Sequence, residues 1–263
     1  MQNKLTHLTR IIPELAQQEI MPRFNQVGFT FKGDGSLVTD ADTAMQRAVI
    51  KELNKRWPEC PCLGEEMTGD HQQGLLDSEN QGLWILDPLD GTTNFSSGIP
   101  FFSVSLALVQ NGEVRLGLIY DPVRDECFSA VKDQGAWLNG KRLKLNGSSR
   151  RELDQCVTQV DFKRLPAELA MRLAAEHPFA SQRNFGSGAL DWCWLATARS
   201  QLYVHGGQKL WDYAAGQLIL LEAGGCANSF SGEPVFSLSL KPQSIVAASH
   251  QHQLQQLMDQ YFS

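Results

Sequence analysis

The segment with the clearest chemical character holds two aspartates, Asp87 and Asp90, three residues apart. They follow directly after residues 83–86, an apolar run with the composition of a short buried strand. A proline between them restricts the backbone, and a glycine after them permits conformations that other residues avoid. This arrangement would aim both carboxylates, together with the Leu89 carbonyl, into one small volume.

Two carboxylates held this close repel each other unless a proton or a cation lies between them. No lysine or arginine occurs anywhere from residue 83 to residue 110 that could supply the opposite charge locally. Hard divalent cations favour ligand sets made only of oxygen atoms, and Mg²⁺ typically combines a few carboxylates with water and substrate phosphate. The segment therefore predicts a site for a divalent cation.

The residues after the aspartates add a candidate phosphate site. Gly91, Thr92 and Thr93 would supply backbone N–H groups at the start of a helix, where anions are favoured. Together with the two aspartates, this order of residues points to phosphate chemistry rather than to an ordinary acidic turn.

Three other acidic residues could complete the site, and each also has a purely structural interpretation. Glu65 lies two residues after the apolar Leu63, where a short strand could end, but it could equally lie in a solvated loop. Asp212 begins a helical pattern, where an acid is also favoured by the helix dipole. Asp42 lies three residues after Thr39, so these two residues could form a variant of the capping box.

Several separated motifs in this order resemble the inositol monophosphatase family of Mg²⁺-dependent, lithium-sensitive phosphatases. The similarity extends over nearly the whole chain. The motifs are residues 38–42 (VTDAD), 64–66 (GEE), 84–95 (WILDPLDGTTNF) and 211–216 (WDYAAG), the last continuing to the glycines at 224 and 225.

The resemblance implies a set of metal ligands. Glu65, Asp87 and the Leu89 carbonyl would bind one Mg²⁺. Asp87 would bridge to a second Mg²⁺, which Asp90 and Asp212 would also bind. A third, weaker ion is implied near Glu65, so we expect two or three ions.

The resemblance also implies catalytic and substrate-binding residues. Thr92, paired with Asp42, would help to activate the attacking water beside Glu65. The implied substrate-binding residues are Asp90, Gly91, Thr92, Gly188, His205 and Asp212. His205 stands where inositol phosphatases of the family carry an acidic residue that contacts the sugar. Because an imidazole cannot accept two hydroxyl hydrogen bonds as a carboxylate does, recognition of inositol phosphate is in question.

The implied activity is hydrolysis of a small phosphate monoester, similar to inositol monophosphate, by metal-activated water. Uncatalysed monoester hydrolysis is so slow that accelerations of up to ~10²¹-fold are needed. General acid–base catalysis contributes only ~10²–10⁴-fold, whereas two cations can stabilise both the attacking and the leaving oxygen. Alternative substrates are a 3′(2′),5′-bisphosphate nucleotide, histidinol phosphate and a sugar phosphate.

A function of another class also has to be considered. Some bacterial relatives act as regulatory partners of the transcription machinery, so a regulatory protein that binds RNA polymerase is the alternative. The implied quaternary structure is a homodimer. Inhibition by lithium is a further expectation from the family.

The remaining pattern predicts the elements that must position these residues. Helical spacing of apolar residues predicts helices near residues 3–18, 39–57, 166–176, 187–197 and 211–223. Short strands are predicted at residues 83–86, 102–109, 114–120, 126–131, 135–139, 156–161, 201–204 and 244–248. Asn111-Gly112 and Asn139-Gly140 are typical of hairpin turns.

The order of elements predicts an α/β protein with an α+β part at residues 1–145, carrying most metal ligands, and an α/β part at residues 146–263, carrying Asp212. The resemblance implies a layered αβαβα sandwich of the inositol monophosphatase and fructose bisphosphatase type.

Composition excludes several classes of protein. Hydrophobic residues make up 42% of the 263 residues, which is typical of a globular chain rather than a disordered one. The net charge of −6 argues against a dedicated nucleic-acid-binding protein. We expect no membrane span, because no apolar stretch approaches ~20 residues. The six scattered cysteines and the lack of a secretory pattern predict reduced thiols and a cytoplasmic location.

Overall fold

The computed structural model describes residues 1–26, 29–31, 37–78, 81–145 and 151–262. The helices in this part of the chain are α1 (Gln2–Glu19), α2 (Asp40–Arg56), α3 (Gly69–Asp77), α4 (Thr92–Ser96), α5 (Ala167–Glu176), α6 (Gly188–Ala196), α7 (Leu210–Ala223) and α8 (Gln251–Tyr261). The strands are β1 (Phe29–Phe31), β2 (Leu37–Thr39), β3 (Cys62–Gly64), β4 (Leu83–Asp90), β5 (Ser103–Gln110), β6 (Glu113–Asp121), β7 (Glu126–Val131), β8 (Gly135–Leu138), β9 (Lys141–Leu143), β10 (Val157–Asp161), β11 (Ser181–Arg183), β12 (Leu202–Gln208), β13 (Cys226–Asn228) and β14 (Gln243–Ala248).

Seven strands form the larger sheet, in the order β3-β4-β5-β6-β7-β8-β9. β3 and β4 are parallel, and the other neighbours are antiparallel. Asn111-Gly112 and Asn139-Gly140 join their strands with positive φ angles at both residues, from 49° to 75°. These are the backbone angles that a two-residue hairpin turn requires, which confirms both predicted turns.

Five strands form the second sheet, in the order β11-β10-β12-β14-β13. β10 lies parallel to both β11 and β12, whereas β14 runs antiparallel to its two neighbours. β1 and β2 form a separate antiparallel pair that leads into α2.

The two sheets and the helices form five layers. α1 and α2 pack on one face of the larger sheet, against alternate strand residues such as Trp84 and Leu86. The other face, including Ile85, packs on α6 and α7, which also contact the inner face of the second sheet through Tyr203. The outer face of the second sheet packs against α5 and α8. This is the expected αβαβα sandwich.

The site-bearing strand extends further than predicted. The sequence predicts a strand at residues 83–86, but β4 continues through Asp90, with an irregularity in its pairing to β5 between Asp87 and Asp90. A proline and two acids made this extension unfavourable to predict, because strands normally avoid both. The short elements β11, β13 and α3 and the terminal helix α8 also lay outside the predicted set.

The predicted division at residue 145 adjoins residues 146–150, which lie outside the described residues. The larger sheet precedes this point and the second sheet follows it, but α6 and α7 from the later part pack on the larger sheet. The division into two subdomains therefore stays a prediction. In the described part of the chain, no helix is both long enough and apolar enough to cross a membrane.

A candidate metal and phosphate site

Three aspartates from two distant parts of the chain meet at one point. Asp87, Asp90 and Asp212 each offer a carboxylate oxygen, and these three oxygens lie within 4.8 Å of one another. In a regular strand, residues three apart point to opposite faces. The irregularity in β4 between Asp87 and Asp90 changes this alternation, so both side chains reach the first turn of α7, where Asp212 lies.

Backbone and hydroxyl donors hold one oxygen of each aspartate. The Leu89 N–H donates to Asp87 Oδ1 at 3.0 Å, and the Lys209 N–H donates to Asp212 Oδ2 at 2.9 Å. Asp90 Oδ2 is held at the start of α6. The hydroxyl of Ser187 donates to it at 2.6 Å, and the N–H of Ala189 donates at 2.7 Å. The carboxylates are therefore oriented before any ligand binds.

Burial and mutual repulsion raise the pKa of all three aspartates. The pKa of Asp87 is raised mainly by burial and then by the charge of Glu65 and the other acids. The pKa of Asp212 is raised by burial and by the charge of Asp90. Burial raises the pKa of Asp90 to about 6, although hydrogen bonds from α6 oppose this shift. Although the charge of Arg164 partly opposes the shift at Asp212, the net effect on all three acids is a raised pKa, which a bound cation would lower.

The donor set fits a hard divalent cation. The cluster offers only oxygen atoms, from three carboxylates, and no cysteine or histidine belongs to it among the described residues. Oxygen ligands of this kind suit Mg²⁺, whereas thiolates and imidazoles would favour zinc. The fit supports the predicted magnesium site.

Glu65 and Leu89 lie at the border of this cluster. Glu65 follows β3, where its N–H donates to the Leu86 carbonyl at 3.0 Å and so extends the pairing of β3 with β4. Glu65 is not one of the three residues whose oxygens lie within 4.8 Å of one another, but its charge acts on all three. The Leu89 carbonyl accepts a hydrogen bond from the Thr92 hydroxyl at 3.0 Å.

Asp42 has the structural role that the sequence left open, and it also contacts Thr92. Its Oδ2 accepts hydrogen bonds from the Thr39 N–H at 2.8 Å and the Thr39 hydroxyl at 2.6 Å, which forms the capping box of α2. Its Oδ1 accepts from the Thr92 hydroxyl at 3.1 Å. The buried carboxylate thus connects the start of α2 to the loop that follows the aspartates.

Gly91 and Gly188 allow two close approaches of backbone. Gly91 has φ 96° and begins the short helix α4, and a Cβ there would lie 3.1 Å from the Phe101 carbonyl. Gly188 begins α6, and its N–H contributes to lowering the pKa of Asp90. A Cβ on Gly188 would lie 2.2 Å from Nε2 of Gln208, so packing by itself favours glycine at this position.

His205 forms a pair with Asp161, a residue that the sequence analysis did not single out. The two residues lie opposite each other on the parallel strands β10 and β12, with His205 Nε2 3.4 Å from Asp161 Oδ2. The Gly207 N–H donates to His205 Nδ1 at 3.1 Å, which leaves Nε2 as the protonated nitrogen facing Asp161. Burial by itself would raise the pKa of Asp161, but hydrogen bonds from His205 and from the Lys163 N–H outweigh it and hold this pKa below its ordinary value.

Sequence reasoning missed Asp161 and Ser187 for different reasons. Asp161 becomes relevant only through the pairing of β10 with β12, which skips over β11. Ser187 is the first residue of the helix predicted at residues 187–197, where a helix-capping serine is favoured, and that signal was available. Its actual partner, Asp90, lies almost one hundred residues earlier in the chain.

Comparisons with known proteins agree with this geometry. The model of the inositol monophosphatase family matches residues 4–262. The Nus factor SuhB of Haemophilus influenzae is 37% identical over 232 residues, which are 86% of this chain and 83% of that relative.

Solved structures show the same fold. The Thermotoga maritima IMPase superposes with a TM-score of 0.84 at 28% identity, and the match covers 98% of both chains. SaIMPase-II with inositol monophosphate bound superposes with a TM-score of 0.80 at 25% identity, over 98% of this chain and 92% of that one.

Proposed function

The chain belongs to the inositol monophosphatase family, and from this premise we propose that it is a Mg²⁺-dependent phosphatase that hydrolyses a small phosphate monoester. The observation that carries the proposal is the cluster of Asp87, Asp90 and Asp212, whose carboxylate oxygens lie within 4.8 Å of one another. Such a cluster is costly to a fold unless a cation offsets the repulsion.

The residues that would hold the ions are the three aspartates, Glu65 and the Leu89 carbonyl. Asp87, on which the charges of the other acids converge, is suited to a bridging position. When bound, two or three Mg²⁺ ions would lower the pKa of water and offset the charge on the phosphate. The hydrogen bonds from Leu89, Lys209 and Ser187 keep the carboxylates oriented for this task.

Thr92 would orient the attacking water. Its single hydroxyl hydrogen can serve either Asp42 or the Leu89 carbonyl, at 3.1 and 3.0 Å, but not both at once. If the Leu89 carbonyl serves as a metal ligand, Asp42 becomes the favoured acceptor. The Thr92 oxygen then has a lone pair directed away from Asp42 that can accept a hydrogen from water. Glu65, whose charge acts on all three aspartates, would assist.

The phosphate would lie against the turn that follows the aspartates. Gly91 and Thr92 begin α4, and the N–H groups of a first helical turn have no partner within the helix. The positive φ of Gly91 and the absence of a side chain there let the backbone approach a ligand closely. Asp90 and Asp212 border the same space from β4 and α7.

A small polyol or sugar-like phosphate is the substrate that the wall of the site favours. His205 and Asp161 lie on the same face of the second sheet as Tyr203, which belongs to the core between the sheets. Because His205 orients an ionised Asp161, a carboxylate is available to accept hydrogen bonds from substrate hydroxyls. SaIMPase-II, which has been solved with inositol monophosphate bound and with 2′AMP bound, has the same fold. A 3′(2′),5′-bisphosphate nucleotide or histidinol phosphate is the alternative.

Release of phosphate from a panel of monophosphates, with and without Mg²⁺, tests this function. We expect release only with Mg²⁺, with the highest kcat/KM for an inositol or sugar phosphate. A kcat/KM at least about tenfold higher for 3′-phosphoadenosine 5′-phosphate would instead favour the nucleotidase alternative. No release from any ester at saturating Mg²⁺ would contradict the proposal as a whole.

The site of bond cleavage provides a second test. Attack by water on phosphorus in ¹⁸O-labelled water places the label in the released phosphate. Label in the alcohol product would contradict the proposed attack.

The role of Asp161 is tested by substrate discrimination. Asp161→Asn should raise KM for inositol phosphate by about tenfold or more, because a charged acceptor for hydroxyl groups is lost. It should leave kcat/KM for ethyl phosphate, which lacks hydroxyls, unchanged. Asp154→Asn, at an exposed position in the same part of the chain, is the matched control. Equal losses on both esters would show that Asp161 acts on the fold instead.

A regulatory role in transcription is a second candidate, supported by the names of sequence relatives. The relative from Haemophilus influenzae is a Nus factor. Under this proposal the surface, rather than the metal cluster, contacts RNA polymerase. An Asp212→Asn variant should then still retain RNA polymerase in a pull-down, and loss of retention would tie binding to the cluster.

We also propose that the protein is a homodimer in the cytoplasm, as family resemblance implies. Sedimentation equilibrium of the purified chain tests the oligomeric state, and a monomer at micromolar concentration would contradict it.

A further inference from the structure

The loop that carries Glu65 is held by a glutamine from α3. Gln72 is buried, with 6% of its surface exposed. Its Nε2 donates to the Gly64 carbonyl at 2.9 Å and to the Glu65 carbonyl at 3.2 Å. A single side-chain amide therefore satisfies two consecutive backbone acceptors, one on each side of the Glu65 N–H.

A second glutamine, from α2, holds the other end of the loop. Gln46 Oε1 accepts a hydrogen bond from the Glu66 N–H at 3.1 Å. A Cβ on Gly64 would lie 2.1 Å from this oxygen, so the glycine leaves room for the amide. Gln46 follows Asp42 by four residues and so lies on the same face of α2.

These contacts oppose a specific electrostatic force. The charge of Glu65 raises the pKa of Asp87, Asp90 and Asp212, which means that each of them repels it. The N–H of Glu65 is paired with the Leu86 carbonyl on β4, and the Met67 N–H donates to the Gly64 carbonyl at 3.2 Å, so the glutamine bonds add to backbone contacts within the loop. Bonds from Gln72 and Gln46 on either side of Glu65 prevent the repulsion from moving its backbone away from the cluster.

We propose that Gln72 and Gln46 are positioning residues that set the affinity of the site for divalent cations by holding the backbone of residues 64–66. The proposal rests on the proposed function for the identity of the cation. Gln72 acts as a hydrogen-bond donor and Gln46 as an acceptor, so the same substitution at the two positions has different consequences.

Calorimetric titration of the metal-free protein with Mg²⁺ tests this difference. Gln72→Leu and Gln72→Glu both remove the donor, and each should weaken Mg²⁺ binding by about tenfold, as expected for residues behind metal ligands. Gln46→Leu should weaken binding similarly, but Gln46→Glu keeps an acceptor and should bind within about twofold of the wild type. Gln73→Leu is the matched control, because Gln73 is the next residue of α3, is exposed and donates to Asp77 of the same helix.

The melting temperature of each variant in EDTA shows whether it is folded. The Mg²⁺ affinity of Gln46→Glu compared with that of Gln46→Leu separates an effect on positioning from an effect on packing. Wild-type affinity in a folded Gln72→Leu variant, or equal weakening by both substitutions at Gln46, would overturn the proposal. If the wild type bound Mg²⁺ but hydrolysed no ester, the proposed function would fail. The Mg²⁺ affinities of the variants relative to the wild type would still test the positioning role of the two glutamines. Failure of the wild type to bind Mg²⁺ would overturn both.

Discussion

At the scale of single residues, each aspartate of the candidate site uses one oxygen for contacts within the fold, and the other oxygen could bind a ligand. One oxygen of Asp90 accepts hydrogen bonds from α6, and one oxygen of Asp212 accepts from the start of its own helix. The two oxygens of Asp42 also have different partners, because Oδ2 belongs to the capping box and Oδ1 accepts from Thr92. Residues used in this way need no separate scaffold, but their substitution affects two properties at once.

Asparagine at Asp90 or Asp212 should separate these two properties. Each variant keeps a side-chain oxygen that can accept the structural hydrogen bonds, so we expect it to fold. Loss of one negative charge from the cation site should reduce kcat/KM at saturating Mg²⁺ to less than about a tenth of the wild-type value. Steady-state kinetics with circular dichroism as the folding control measures both. Retention of more than this activity by either variant would contradict the assignment of ligands.

The raised pKa of Asp90 predicts an unusual dependence of stability on pH in the metal-free protein. The pKa is about 6 in the folded chain against an ordinary value of 3.8. The folded state therefore holds a proton that the unfolded state has released, and stability falls as the pH rises through this interval.

Thermal unfolding in EDTA between about pH 4 and pH 7 measures this dependence. The wild type should lose more stability over the interval than Asp90→Asn, which has no such titration. A variant with an equal or steeper loss would be inconsistent with the raised pKa.

At the scale of elements, α2 organises two parts of the site from one face. Asp42 in its first turn contacts Thr92, and Gln46 one turn later contacts the loop of Glu65. The start of the helix therefore determines where both contacts lie. Thr39, which caps the helix, also donates to Asp42 at 2.6 Å.

Thr39→Ala should thus reduce both stability and activity. Loss of the cap should cost about 1 kcal/mol of unfolding free energy, and Asp42 loses the hydroxyl that helps to orient it. His250→Ala is the matched control, since His250 caps α8 through the His252 N–H at 3.1 Å, in a helix that packs on the outer face of the second sheet. Urea unfolding and kcat together test this, and an equal loss of activity in both variants would argue against a role for the α2 cap in the site.

At the scale of the whole molecule, the site exists because α7 packs directly on the larger sheet. Asp212 lies on α7, whereas Asp87 and Asp90 lie on β4. The approach is close enough that a Cβ on Gly117 of β6 would lie 2.8 Å from the Ala215 carbonyl oxygen. The spacing between helix and sheet therefore sets the distance between the ligands.

Gly117→Ala should disturb this spacing. Its methyl group meets helix backbone that cannot rotate away, so we expect a loss of about 1–3 kcal/mol of unfolding free energy and weaker binding of Mg²⁺. Gly74→Ala, in exposed α3 with no atom within 4 Å of the added Cβ, should instead be neutral or stabilising by up to about 1 kcal/mol. Denaturant unfolding and calorimetry on both variants distinguish a packing effect from a general effect of replacing glycine. Unchanged Mg²⁺ affinity in Gly117→Ala would contradict the argument.

Features with local causes could be predicted from the sequence. Both Asn-Gly hairpin turns, the capping box at Asp42 and the helix after Asp212 depend on residues only a few positions apart. The proximity of the Asp87 and Asp90 carboxylates was also predictable, although the strand that carries both was expected to end at residue 86. Apolar spacing in α8 carried a comparable signal that the prediction did not include.

The sequence by itself determined the types of ligand: which segments hold carboxylates, glycines and threonines in an order that suits a cation and a phosphate. Only the tertiary structure decided which of them meet. Asp212 lies more than one hundred residues from Asp87, and Asp161 faces His205 only because β10 pairs in parallel with β12. Such contacts arise from the packing of whole layers, in which many small apolar contributions act together, and no local pattern of residues encodes their outcome.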